Sequence, residues 1–175
     1  MDACGSSLLS QANFLKFCKI RYWNEVRVNS NIERGKPTMK ISTKGRYALR
    51  IMIDLAQHMQ DTAIPLKEIS QRQGITLKYM EQIMPLLTKA GYVRGFRGNN
   101  GGYLLAKDPA EYKVGDILRT VEGPLAPIAC LEHEPNQCER RDTCSTLKFW
   151  EGLYQAINDY VDGVTLADLA DVAKK

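Results

Sequence analysis

Apolar residues recur along this chain with a helical period, interrupted once by a short segment rich in glycine and arginine. From Ile41 the period is plain. Ser42 or Thr43 is placed to cap a helix running to about residue 59, with Tyr47, Leu49, Ile51, Met52, Leu55 and Ala56 on its inner face. Asp61 and Thr62 read as a turn, and Ile64 as a very short strand ahead of Pro65. A short helix is predicted over 67–73, with Ile69 inward and Gly74 as its stop. Thr76 then caps a third helix in which Leu77, Met80, Ile83, Leu86 and Leu87 recur at helical spacing. Pro85 conflicts with that helix, because proline lacks a backbone donor and clashes with the preceding turn. A kink or break is therefore expected near it, leaving 76–82 as the usable helix surface. Residues 92–96 and 103–105 read as strands around Arg97-Gly98-Asn99-Asn100-Gly101-Gly102, a turn of residues that tolerate positive φ.

The second half is patterned differently. A helix is expected from 113 or 114 to 121, with Ile117, Leu118 and Val121 inward. The stretch 122–127 contains two prolines and reads as a rigid turn. Residues 147–160 form a long periodic segment with Leu147, Trp150, Leu153, Tyr154, Ile157 and Val161 on one broad stripe. A small protein has little core to cover so wide a stripe, so part of it is expected to pair with a second subunit. Thr165 and Asp168 have the spacing of a capping box for a last helix through 172. Two helices joined by a glycine-containing turn, followed by a basic hairpin, predict a mainly α fold: a winged helix-turn-helix domain with a small β-hairpin wing and a long C-terminal dimerisation helix.

This division gives four parts. Residues 1–38 have a short apolar patch near Phe14 to Ile20 but no steady period, and read as a disordered N-terminal extension, with Met39 opening the patterned chain. The other reading of that segment is an amphipathic arm that touches DNA or lipid. Residues 39–107 are the winged domain, 108–146 a linker helix and cysteine loop, and 147–175 the dimerisation helix with a short terminal helix.

Charge sharpens the picture. The net charge of +4 is modest, but residues 39–107 carry eleven Lys and Arg against four Asp and Glu, whereas residues 108–175 carry seven against thirteen. Only the first half is suited to meet a polyanion. Lys44, Arg46 and Arg50 crowd the first helix, Thr76, Lys78, Tyr79 and Gln82 lie on the candidate reading surface, and Arg97, Asn99, Asn100 and Tyr103 lie on the wing. Their partner would be double-stranded DNA, with glutamine suited to adenine, lysine to guanine and the helix N-terminus to phosphate. Taken singly, each of these features has a plainer reading as a solvated helix face. No apolar run is long enough to span a membrane, and the N-terminus lacks the apolar stretch of a secretion signal, which makes the cytoplasm the expected location. No phosphate loop and no nucleophile–base pairing is evident, so an enzyme is not expected.

Five cysteines argue against a closed disulfide framework. Cys130, Cys138 and Cys144 lie in a polar loop with the spacing C-x7-C-x5-C. Three thiolates in one loop suit a soft metal, and both zinc and an iron–sulfur cluster satisfy that chemistry. Zinc calls for a fourth ligand, for which Glu132, His133, Glu134 and Asp142 are near in sequence. The plainer reading is three free or redox-active thiols in a loose segment.

Together these residues resemble the bacterial winged-helix regulators that include IscR, NsrR, RirA and CymR. The segments MKISTKGRYALRIMIDLA, ITLKYMEQIMPLLTKAGYV, RGNNGGYLLAKDP, VGDILRTVEGPLAPI and TLADLADV carry the resemblance, which spans 39–169. It implies a homodimeric DNA-binding repressor on a pseudo-palindromic operator, paired through the helix at 147–160. It also implies an iron–sulfur cluster, 4Fe-4S or 2Fe-2S, on Cys130, Cys138 and Cys144. The match departs from IscR in having Leu147 where those proteins have a histidine, and from NsrR in having Arg46 where an aspartate is expected. The cysteine spacing is most similar to RirA, while ISTKGRY and EGPLAPI are closer to CymR, which senses cysteine status through a partner protein. Two other functions compete: a zinc- or thiol-responsive regulator without a cluster, and a winged-helix protein-interaction module that does not read DNA sequence.

Overall fold

The computed structural model describes residues 41–98 and 101–172, all within the unit Met39–Lys175; the expectation for 1–38 lies outside the described residues. Ser42 starts the first helix, α1 (Thr43–Gln57), its hydroxyl accepting from the backbone N–H of Lys44 at 3.1 Å and of Gly45 at 3.4 Å. The helix ends at Gln57, two residues short of the expected end, with His58 as its C-cap. The second helix, α2 (Leu66–Gln73), is stopped by Gly74 at φ +63°, a left-handed conformation that glycine adopts without a Cβ penalty. The third, α3 (Leu77–Lys89), buries Met80, Ile83, Met84 and Leu87, a set spaced i, i+3, i+4, i+7. Leu77, expected inward, is instead 41% exposed, and Met84 takes the buried position.

Pro85 does not break α3, which runs on for the rest of its 13 residues. The expectation of a break overlooked the side of the helix on which the proline sits. Pro85 and Glu81, whose carbonyl loses its partner, are both on the exposed side, where water can take over the lost bond.

The wing is an antiparallel hairpin of β1 (Val93–Phe96) and β2 (Gly102–Leu105), with Val93 opposite Leu105 and Phe96 opposite Gly102. Ile64 adds a one-residue third strand, exchanging backbone hydrogen bonds of 2.9 and 3.0 Å with Tyr103. Gly102 is required here, since a Cβ at that position would lie 2.3 Å from the Ile64 carbonyl oxygen.

A 3-10 turn at Pro109–Glu111 leads into α4 (Val114–Glu122), and a second, Ala129–Leu131, opens the cysteine loop. Beyond the loop come α5 (Leu147–Asp162) and α6 (Leu166–Val172). The main core draws Ala48, Ile51, Met52 and Leu55 from α1 together with Ile69, Met80, Ile83, Leu87, Val93, Leu105, Ile117, Val121 and Leu166. It therefore joins α4 and α6 to the helix-turn-helix. The capping box at α6 forms as the sequence predicts: Asp168 accepts from the Thr165 N–H at 2.9 Å, and the Thr165 hydroxyl accepts from the Asp168 N–H at 3.2 Å.

No residue of α5 is fully buried. Tyr154, Ile157 and Val161 pack against Val114, Leu118 and Leu125, while Phe149 and Leu153 remain 64% and 36% exposed. The far end of α5 is anchored to α4. Arg119 donates two bonds to the Asp162 carboxylate at 2.8 and 2.9 Å and one to Asn158 at 2.9 Å. Gly115 lets the two helices meet, because a Cβ there would lie 2.0 Å from Asp162 Oδ1.

Candidate nucleic-acid interface and cysteine loop

The end of α2, where the helix-turn-helix turns, is held to α1 by a buried carboxylate. Asp54 on α1 is fully buried. It accepts from Arg72 Nε at 3.1 and 3.2 Å and Nη2 at 2.7 Å, and from Gln73 Nε2 at 2.9 Å. A carboxylate taken out of water needs such partners to offset its lost hydration. Asp54 in turn holds the Arg72 guanidinium above its ordinary pKa through these hydrogen bonds, against the effect of partial burial. The one local signal for Asp54 in the sequence is a lone acid on an otherwise apolar helix face, i+4 from Arg50.

The residues predicted to meet DNA divide by what they touch. On α1, Lys44 is half-buried, while Arg46 is exposed and donates to Thr43 Oγ1 at 3.3 Å. Arg50 is exposed but its head is engaged: it donates to Gln73 through Nε at 3.1 Å and, by a short contact from Nη2, to the Gln73 carbonyl. Its guanidinium also lies 5.6 Å from the Tyr47 ring centroid. On α3, Thr76 occupies the N-cap position but its hydroxyl makes no capping bond, so the role foreseen for that side chain is corrected. Thr76 is exposed, as are Lys78 and Gln82, one helical turn apart. Tyr79 is half-buried and meets Tyr47 edge-on, with ring centroids 5.2 Å apart, which ties α3 to α1.

On the wing, Arg94 and Arg97 are exposed. Asn99 and Asn100 lie outside the described residues. Tyr103 is half-buried, pairs with Ile64 through its backbone and lays its ring on Gly95, where a Cβ would come within 3.2 Å of it. Phe96, which the sequence reading left among the strand residues, is 48% exposed beside Arg97.

A further link was not foreseen. Glu122, expected in a turn, is the last residue of α4, and its carboxylate reaches the start of α1. It accepts from the Ser42 hydroxyl at 2.5 Å and the Gly45 N–H at 2.7 Å, supplying an anion to a helix N-terminus. Gly45 makes room for it, as a Cβ would lie 2.4 Å from Glu122 Oε1.

Cys130 and Cys138 are half-buried, Cys144 is exposed, and all three are free. The Cys138 side chain beside Cys130 pushes the Cys130 thiol up, chiefly by hydrogen bonding and then by slight desolvation. Cys144 is lowered by hydrogen bonds from the Thr146 hydroxyl and backbone at the start of α5. The donor chemistry, three accessible thiols, is that of a thiophilic metal group. The proposed fourth donors Glu132, His133, Glu134 and Asp142 are exposed. Among the described residues no three Cys, His, Asp or Glu side chains are already gathered as a metal site. No helix among the described residues is long and apolar enough to cross a membrane.

Comparison with known proteins agrees with this architecture. The IscR transcriptional regulator of Serratia proteamaculans (strain 568) is 40% identical over 133 residues, covering 76% of this chain and 80% of that protein. The solved structure of CymR, described as the global cysteine regulator of B. subtilis, is 38% identical with a TM-score of 0.63, covering 76% of this chain and 97% of that one. That of T. potens IscR is 40% identical with the same TM-score of 0.63, covering 77% and 88%. The family model described as "Rrf2: Iron-dependent Transcriptional regulator" matches residues 41–172. The winged helix-turn-helix fold, the family match over residues 41–172 and relatives 40% identical over 76% of this chain place it in the Rrf2 family, whose members are DNA-binding transcriptional regulators and not enzymes.

Proposed function

We propose that this protein is a homodimeric transcriptional repressor of the cytoplasm, and that Cys130, Cys138 and Cys144 hold an iron–sulfur cluster. The observation that carries the reading is the position of these three free thiols: they lie between the DNA-binding body and a helix, α5, whose apolar residues are only partly covered. Phe149 and Leu153 supply an apolar surface for a second copy of the chain. Arg46, Lys78, Arg94 and Arg97 are exposed cations on the body and suit phosphate; Gln82 suits a base edge. The family's description as iron-dependent supports iron over zinc. A bound cluster supplies a charge and ligation state that change with iron supply and oxidation. The chain's own part is to tie the loop at both ends: Glu122 holds its upstream end to the first turn of α1, and Cys144 lies at the threshold of α5. A change of loop shape therefore acts on the DNA-facing helix and on the dimer helix together.

Anaerobic purification followed by visible absorption, iron and sulfide assay and native mass measurement tests this. A coloured dimer containing iron and sulfide is expected, with Cys138→Ala losing colour and iron. A colourless, iron-free protein whose DNA affinity is unchanged by Cys138→Ala would overturn the cluster. A second reading, zinc or a thiol–disulfide pair at the same cysteines, draws on the contact between Cys130 and Cys138 and on the likeness to a cysteine regulator. Zinc in the same metal analysis, or a Cys130–Cys138 disulfide after mild oxidation, would favour it.

A further inference from the structure

Arg50 belongs by charge with the DNA contacts, but its geometry points elsewhere. Its Nε and Nη2 are both directed at Gln73, the last residue of α2, one at the side-chain oxygen and one at the carbonyl. Gln73 passes the contact inward, donating from Nε2 to the buried Asp54 at 2.9 Å. Asp54 and Arg50 are four residues apart on α1, so one helix face grips the α2–α3 turn at two points. Immediately after Gln73, Gly74 turns left-handed, and Ile75 is buried. The Ile75 N–H bonds to the Ser70 carbonyl at 3.3 Å, and its own carbonyl accepts from the Ser70 hydroxyl at 2.6 Å. The turn is thereby fixed one residue before Thr76 starts α3. From its other side Arg50 rests on Tyr47, and Tyr47 meets Tyr79 of α3 edge-on. A guanidinium bound in this way is linked to the recognition helix indirectly by two routes, through Gln73 and the turn and through Tyr47 and Tyr79.

We infer that Arg50 is a positioning residue that sets the angle of α3 for reading bases, and is not a phosphate ligand. The inference rests on the proposed DNA-reading role. A forked guanidinium is needed, because an ammonium cannot place two donors on Gln73 in the same plane while stacking on Tyr47. Lysine at this position should therefore fail to replace it, although lysine replaces arginine adequately where only a phosphate is met.

Two duplexes of equal length serve as probes: one of mixed sequence, and one recovered by the wild-type protein from a randomised pool. Arg50→Lys and Arg50→Met are each expected to lose roughly tenfold in affinity for the recovered duplex, the equivalent of one charge-assisted hydrogen bond. Binding of the mixed-sequence duplex and the salt dependence of both variants should stay as in wild type. Arg46→Met provides the contrast, lowering the slope of log K against log salt by about 0.9 per subunit and weakening both duplexes. A phosphate-binding Arg50 would give the opposite pattern: Arg50→Lys close to wild type, and Arg50→Met with a reduced slope on both probes. That pattern would overturn the inference while leaving the DNA-reading function intact. If the wild-type protein bound neither duplex, the proposed function would fall and this inference with it. Thermal melting accompanies each variant, and Arg50→Lys, which keeps charge and stem, carries the test if Arg50→Met does not fold.

Discussion

Gly102 does much to set the shape of the wing. Gly102 lets β2 come against Ile64, and the steric limit is severe, since any Cβ would meet backbone and not a yielding side chain. Gly102→Ala should therefore cost about 1 to 3 kcal/mol, the usual effect of forcing atoms into a tight site, read as a lower urea midpoint. An unchanged midpoint would mean that the strand pairing at Ile64 is dispensable. At this scale the sequence was least legible. Charge identified the cations of the first helix but not what each engages: Arg46 bonds locally to Thr43, while Arg50 reaches across to Gln73 of α2. Tyr79 and Tyr103, expected at the DNA, also spend ring or backbone on holding elements together. Such partners lie far apart in the chain, like Glu122 and Ser42, and no local pattern announces them.

At the scale of elements, periodicity was a good guide. The order of helices, the stop at Gly74 and the capping box at Thr165 and Asp168 were all legible, because each depends on residues within about one turn of each other. Ends moved by a residue or two, as at Gln57 and Leu66. The break expected as one outcome at Pro85 does not occur, because propensity says what proline removes but not which side of the helix suffers. Since α3 continues through it, Pro85→Ala restores a backbone donor without disturbing the buried set. It should raise stability by about 1 to 3 kcal/mol, seen as a higher melting temperature. A lower melting temperature would show that the ring makes a stabilising contact of its own.

At the scale of the whole molecule, the main core draws residues from both sides of position 107, with Ile117, Val121 and Leu166 packed among those of the first three helices. After α5 the chain returns to the body: Val114 N–H bonds to the Val164 carbonyl at 3.0 Å, Leu166 N–H to the Tyr112 carbonyl at 2.9 Å, and Gln57 donates to the Ala170 carbonyl at 3.0 Å. Leu166 is fully buried in the main core, where losing a leucine side chain typically costs about 2 to 5 kcal/mol. Ending the chain at Gly163 should thus abolish cooperative unfolding of the whole body, measured by thermal melting and by collapse of amide chemical-shift dispersion. A shortened chain that kept a sharp transition would show that the first five helices close a core without α6. The buried place of Leu166 also bears on synthesis. Chains emerge N-terminus first, so the nascent DNA-binding body lacks a piece of its own core until the last helix has left the ribosome. By then α5, with Phe149 and Leu153 uncovered, has already emerged, so in the proposed homodimer folding of the head and pairing of two chains become events of the same late moment.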